Sequence, residues 1–290
     1  MADRDPFRVG LVQMRTGKDV RDNLLEAEAL IRDAARKGAH YIQTPENTLL
    51  MEVDAPHLLE KIVPEAETEG VAHFAHLAKT LRVWLHIGSI AVKIGENKAA
   101  NRAFLFTPNG DIVLRYDKIH MFDVDLPSGE SYRESATFIP GTQAYVAQLP
   151  WGALGVATCY DIRFPEQFKA LAMAGAKFLT APSAFTKVTG EKHWHTLLRA
   201  RAIENGCFVF AAAQGGRHAN GRTTFGHSLI ISPWGEIIAE GDTDPGVIVA
   251  DIDPEEVDRV RARIPALDHA RDFEVSVVQM PKGATLKAVG

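Results

Sequence analysis

The chain has 290 residues, 46% hydrophobic and 24% charged, a composition that excludes a disordered, collagen-like or coiled-coil protein and predicts a soluble globular one. Its formal net charge of −5 lacks the positive excess that binding a phosphate backbone demands, so nucleic acid is not an expected partner. The longest apolar run, Cys207 to Ala213, falls far short of the ~20 residues of a membrane helix, and no apolar h-region follows the charged start MADRDPF, which argues against a membrane or secretory route. Two cysteines, Cys159 and Cys207, allow one bridge at most; nothing points to an oxidising compartment, and both are expected as thiols in a cytoplasmic protein.

Strand-like and helix-like segments alternate from the start. Residues 7–14 (FRVGLVQM) form a predicted strand. Residues 19–37 then place Val20, Leu24, Ala27, Ile31 and Ala34 at helical spacing, with Gly38 where a helix-ending glycine belongs. A strand at 39–44 delivers Pro45 and Glu46. A second helix, 69–82, with Val71, Phe74, Ala75, Ala78 and Leu81 on one face, leads into a strand at 83–92. Such alternation predicts a layered α/β sheet.

Hairpins interrupt the pattern. FTPNGDI (106–112) and ISPWGEI (231–237) share Ser or Thr, Pro, any residue, Gly and an acid. Proline presets φ and glycine accepts the left-handed conformation, so each is expected to be a tight turn between antiparallel strands, making the sheets mixed. The two turns either mark the halves of a pseudo-repeat or arose as independent hairpins. Further expected elements are strands at 153–158, 177–181, 207–213 and 247–252, and helices at 164–174, 193–204 and 254–264. No low-complexity linker separates the halves, so residues 1–290 read as one domain, with an extended tail from about 265.

Cys159 follows the apolar stretch GALGVAT and precedes YDIRFPE. A cysteine between a strand and a helix start is exposed to substrate, and the helix end can lower its pKa; the alternative is an inert buried thiol. Cys207, inside an apolar strand, reads as core. A thiol nucleophile needs a proton acceptor, yet the eleven histidines fall in no telling frame: His193 and His195 flank Trp194 at a predicted helix start and read as surface or capping residues. His120, Asp123 and Asp125 are metal ligands by residue type, but their spacing matches no common zinc frame. Glu46 and Lys118 each end a strand (HYIQTPE, IVLRYDK), positions where a charge is either solvated or working. Three strand ends with reactive groups form a set.

At these residues the chain resembles the nitrilase superfamily of carbon–nitrogen hydrolases. HYIQTPE, RYDKIHMFD and GVATCYDIRFPE are similar to its three catalytic blocks, in the family order Glu, Lys, Cys, and the resemblance runs from FRVGLVQM to about Phe273. KIHMFDVDLP, PSAFTKVTGEKHWHTLLRARAIEN and FGHSLIISPWGE resemble the Nit branch, whose members cleave amides, and AAAQGGRH with FGHS looks closest to the deaminated glutathione amidases within it; sister ω-amidases act on 2-oxoglutaramate and 2-oxosuccinamate. The resemblance implies a four-layer αββα fold with mixed sheets, assembled as a homodimer or larger oligomer. It also implies cofactor-free, metal-free amide hydrolysis with Cys159 as nucleophile, Glu46 as general base, Lys118 as oxyanion donor and Glu134, in RESATFIPG, as the second glutamate that holds the lysine. Tyr160, Arg163, Ser183, Phe185 and Thr186 are the expected substrate-binding residues, Arg163 either clamping a carboxylate or bracing the following helix. The polar segment 125–134 (DLPSGESYRE) reads as a flexible lid. An ω-amidase, another aliphatic amidase, a nitrilase, an inactive interaction module and a hydrolase using His120, Asp123 and Asp125 as metal ligands are the competing readings.

Overall fold

The computed structural model describes residues 5–279. In chain order, β1 (Phe7–Gln13) leads through α1 (Val20–Arg36) to β2 (Tyr41–Gln43). Helices α2 (Ala55–Lys61) and α3 (Glu69–Leu81) then lead to β3 (Trp84–Gly95), β4 (Lys98–Phe106) and β5 (Ile112–Asp117). A separate hairpin follows, β6 (Asp123–Asp125) and β7 (Ser131–Arg133). The second half runs β8 (Tyr145–Leu149), β9 (Gly152–Val156), α4 (Pro165–Met173), β10 (Ala176–Thr180), α5 (Lys187–Asn205) and β11 (Phe208–Ala211). After the ribbon β12 (Gly215–Arg217) and β13 (Thr223–Phe225) come β14 (Leu229–Ile231), β15 (Ile237–Glu240), β16 (Gly246–Ile252) and α6 (Glu255–Arg263).

The large strands form two six-stranded sheets, β16-β1-β2-β3-β4-β5 and β8-β9-β10-β11-β14-β15. Each has an antiparallel edge strand, three parallel strands and two antiparallel ones. The two sheets therefore share one topology, which favours the pseudo-repeat reading of the paired turns. Those turns occupy equivalent places, between β4 and β5 and between β14 and β15. In each the glycine N–H reaches back to a Thr or Ser carbonyl (Gly110 to Thr107 and Gly235 to Ser232, both 2.9 Å), with glycine φ of +88° and +86°, where a side chain would be strained.

Alternation along the strands sorts the side chains into three cores. Val9, Leu11, Ala103, Leu105, Phe178, Phe208 and Phe210 fill the space between the sheets. Val12, Phe104 and Phe106 face α1 and α3; Leu179, Val209 and Ala211 face α4 and α5. The layers are thus αββα, as expected. Helix α1 buries Leu24, Ala27, Ile31 and Ala34, and Asp19 caps it by accepting the Asp22 N–H at 2.9 Å.

One helix boundary departs from the sequence expectation. Helix α5 starts at Lys187, six positions before His193, because Thr186 caps it by accepting the Thr189 N–H. The opening residues KVTGEK carry no apolar period and so gave no signal; His193 and His195 lie within the helix. Beyond α6 the chain is irregular up to 279, with Leu267 packed against the core under α4 and α5 and Phe273 and Val275 almost fully exposed.

Candidate active site

Glu46 leaves the first sheet just after β2, in a turn tied by the Thr44 and Thr48 hydroxyls (2.8 Å) and by Thr48 Oγ1 donating to Pro45 O (2.7 Å). Gly88 on β3 lets the two sheets meet here: a Cβ would stand 2.2 Å from Thr44 O and 2.5 Å from Pro182. Pro182 O in turn accepts the Cys159 N–H at 3.0 Å. Cys159 follows β9 with φ +48°, a left-handed conformation that costs a non-glycine residue about 1 kcal/mol or more.

Asp161 holds that turn. It is fully buried, and its carboxylate accepts the Thr158 N–H (2.8 Å), the Tyr116 hydroxyl (2.5 Å), the His120 N–H (3.0 Å) and, at 2.8 Å, the His120 ring. The cysteine turn is thereby fastened to the segment after β5, which carries Lys118.

Lys118 Nζ donates to Glu46 Oε1 at 2.9 Å and to both Glu134 oxygens at 3.1 and 2.8 Å. Lys118, Glu46 and Cys159 are all buried, at 2, 3 and 7% exposure, which disposes of the solvated-charge alternative for the first two. The amide of Asn101, on β4, donates to Oε1 of both glutamates, at 3.0 and 3.1 Å. Glu46 Oε2 accepts the Ala184 N–H at 2.9 Å, and Glu134 Oε2 the Phe122 N–H at 2.7 Å.

The protonation states follow. Burial opposes ionisation of Glu46, but the Lys118 charge and hydrogen bond, with those from Cys159 and Ala184, hold its carboxyl below the ordinary value. Burial likewise opposes the Lys118 ammonium, and Glu134, Glu46 and Cys159 outweigh it, pushing this pKa well above normal. For Cys159, burial first and the Glu46 charge second raise the thiol far above its usual value, with Lys118 pulling only partly against them. The resting state is carboxylate, ammonium and thiol. This corrects the expectation of a thiol made acidic by a helix end: the turn after Cys159 is a short 3₁₀ segment, and desolvation governs.

These groups open onto a cavity of about 520 Å³, within the usual range for small-molecule sites. Of the residues expected to bind substrate, Tyr160, Phe185 and Thr186 lie on its wall. Arg163 and Ser183 do not. The Ser183 hydroxyl turns back to Ala181 O at 2.8 Å, and the Arg163 guanidinium stacks on Phe185 (5.3 Å) and Tyr160 (5.8 Å) and donates to the His193 ring, behind the wall. The supposed flexible lid is the β6–β7 hairpin, closed by Arg133 on Asp125; Ser131, Tyr132 and Arg133 line the cavity.

His120, Asp123 and Asp125 do not converge. His120 stacks on Phe164 (3.4 Å) and binds Asp161, Asp123 accepts from Ser135, and Asp125 pairs with Arg133. Among the described residues the group able to hold a metal ion is His195, His227 and Glu240, with the two rings 3.0 and 2.8 Å from Glu240 Oε1, and it does not line the cavity. Cys207 is core, as expected. The sequence reading missed Asn101, Asp161, Ala184 and the cavity residue Arg222; the polar pair Asn101 and Arg102 in the otherwise apolar ANRAFLF was the available sign for Asn101.

Residues 8–262 match the carbon–nitrogen hydrolase family. The chain belongs to that family. This hydrolase is 40% identical over 269 residues to a deaminated glutathione amidase of Synechocystis, covering 91% of this chain and 98% of that one. Its fold is similar to that of the C. elegans NitFhit protein, with a TM-score of 0.87 and 32% identity over 93% of this chain; the hydrolase spans 66% of that longer protein. It is also similar to Saccharomyces cerevisiae Nit3, a member of branch 10 of the nitrilase superfamily, at a TM-score of 0.81 and 28% identity, covering 91% of this chain and 97% of that one.

Proposed function

We propose that this hydrolase cleaves a linear amide through a thioester on Cys159, and that the amide is deaminated glutathione, released as 2-oxoglutarate and cysteinylglycine. The observation that carries the mechanism is the buried Cys159 thiol under the influence of the buried Glu46 carboxylate, which Lys118 holds at 2.9 Å. Glu46 takes the thiol proton as Sγ attacks the amide carbon, so the thiolate forms only when it is used. The tetrahedral oxyanion is stabilised by the Lys118 ammonium and the Tyr160 N–H, donors of a kind each worth about 3 kcal/mol. Protonated Glu46 gives its proton to the departing amine, then removes one from the water that attacks the thioester; the cysteine sulfur finally recovers a proton. Glu134 and Asn101 keep the lysine and the base in place. No metal or cofactor takes part.

Identity with the Synechocystis amidase supports the substrate. The exposed Phe273, Val275, Val277 and Val278 of the tail support assembly into a homodimer or larger homo-oligomer, and two free cysteines support a cytoplasmic setting. The test is turnover, scored as kcat/KM, of deaminated glutathione, 2-oxoglutaramate and a simple nitrile. Deaminated glutathione is expected to lead, and Cys159→Ala to fold and be inactive. A large preference for 2-oxoglutaramate would make the protein an ω-amidase, and a folded Cys159→Ala that retains turnover would remove the mechanism.

A further inference from the structure

Three cations line the cavity: Lys118, Arg133 and Arg222. Lys118 lies between Glu46 and Glu134, and Arg133 grips both oxygens of Asp125 at 2.8 and 2.9 Å. The remaining carboxylates of the wall are also engaged: Glu52 faces Lys18 and Lys61, and Glu130 accepts from Ser128 and Tyr132. Among the described residues Arg222 has no carboxylate within ion-pair distance.

Its position is nevertheless fixed. The backbone N–H donates to Asn220 Oδ1 at 2.9 Å, the guanidinium sits 5.0 Å over the Tyr132 ring, and Nη2 donates to Ala184 O. Its Nε is buried without an acceptor, an unfavourable state for a charged donor, and among the described residues Nη1 has no hydrogen-bond partner. A planar fork of N–H groups held by stacking is suited to a carboxylate.

Ala184 gives the direction. Its N–H holds Glu46 Oε2 while its carbonyl holds Arg222, so the arginine stands beside the group that protonates the departing amine. We infer that Arg222 is the subsite for the leaving group's carboxylate, the C-terminal carboxylate of cysteinylglycine, an assignment that rests on the substrate reading above. Arg163, behind Phe185, is not needed for it.

The test compares deaminated glutathione with its C-terminal carboxamide, which replaces the charged group by a neutral one, in wild type, Arg222→Gln and Arg222→Lys. On the acid, Arg222→Gln is expected to lose roughly 10- to 100-fold in kcat/KM, mainly through KM, with Arg222→Lys in between. On the carboxamide all three should agree. Equal losses on both substrates, or no loss on either, would overturn the assignment. A wild type that hydrolyses neither compound but does hydrolyse 2-oxoglutaramate would instead overturn the substrate reading, and the assignment with it.

Discussion

Replacing Lys118 with methionine tests the charge balance of the site. The substitution roughly preserves the side-chain volume and removes the cation bonded to Glu46 and Glu134, leaving one buried and one partly buried carboxylate joined through Asn101. Removing one partner of a buried ion pair costs about 3–5 kcal/mol when the other stays charged. The variant can lessen that cost by keeping a proton on one glutamate. The folded pKa of that carboxyl then lies above its unfolded value of about 4.3. Its protonated form stabilises the fold fully below that value, and the contribution is lost as pH rises through the folded pKa. The deficit relative to wild type should therefore grow by about 1.4 kcal/mol per pH unit above roughly 5, levelling off near 3–4 kcal/mol once the raised pKa is passed. In the wild type Glu46 titrates lower and Lys118 higher than usual, so neither changes charge between pH 5 and 8. Urea unfolding of both proteins across that range measures the difference. Parallel stability curves would refute the reasoning, because they would mean that Lys118 does not hold the Glu46 carboxylate ionised.

Glu46→Gln should keep the fold, since Lys118 retains Glu134, while losing about 10²–10⁴-fold in kcat as the general base disappears; circular dichroism alongside an amide assay checks both. Because Lys118 and the other partners depress the Glu46 pKa, the acid limb of kcat/KM in the wild type should fall below about pH 4.3, the ordinary glutamate value, and a limb near pH 6.5 would point to a histidine instead. Asp161→Asn places an NH₂ group among the donors from Tyr116, Thr158 and His120. It should cost about 2–4 kcal/mol by thermal unfolding and lower activity by releasing the cysteine turn; unchanged stability would show that Asp161 is not the anchor.

The parts of this protein that were legible in the sequence are those with a period or an abrupt ending. Helix α1 announced itself by Leu24, Ala27, Ile31 and Ala34, and the paired turns by proline and glycine at fixed offsets. Glu46, Lys118 and Cys159 were visible because each stands at the end of a predicted strand. What was hidden depends on distance in space. Asn101 reads as one polar residue in a strand until its amide is seen between two glutamates. Asp161 looks like any acid near a helix start, and Arg222, in a polar turn, matters only because every other wall cation is paired. The thiol's protonation could not be read either: chain order locates Cys159 after a strand, whereas its pKa is decided by burial and a carboxylate from the other sheet.

The site straddles a seam. Glu46 and Lys118 arrive on one sheet, Cys159 and Ala184 on the other, and Phe178, Phe208, Phe210, Val9 and Leu11 set the gap between them. Stacked sheets stand about 10 Å apart, and close-packed interiors transmit a change of even one methylene. Catalysis in this molecule is in effect a micrometer for its own interior: trimming or swelling an aromatic ring in the middle layer would alter sulfur-to-carboxylate alignment and register as lost turnover while the chain remained folded.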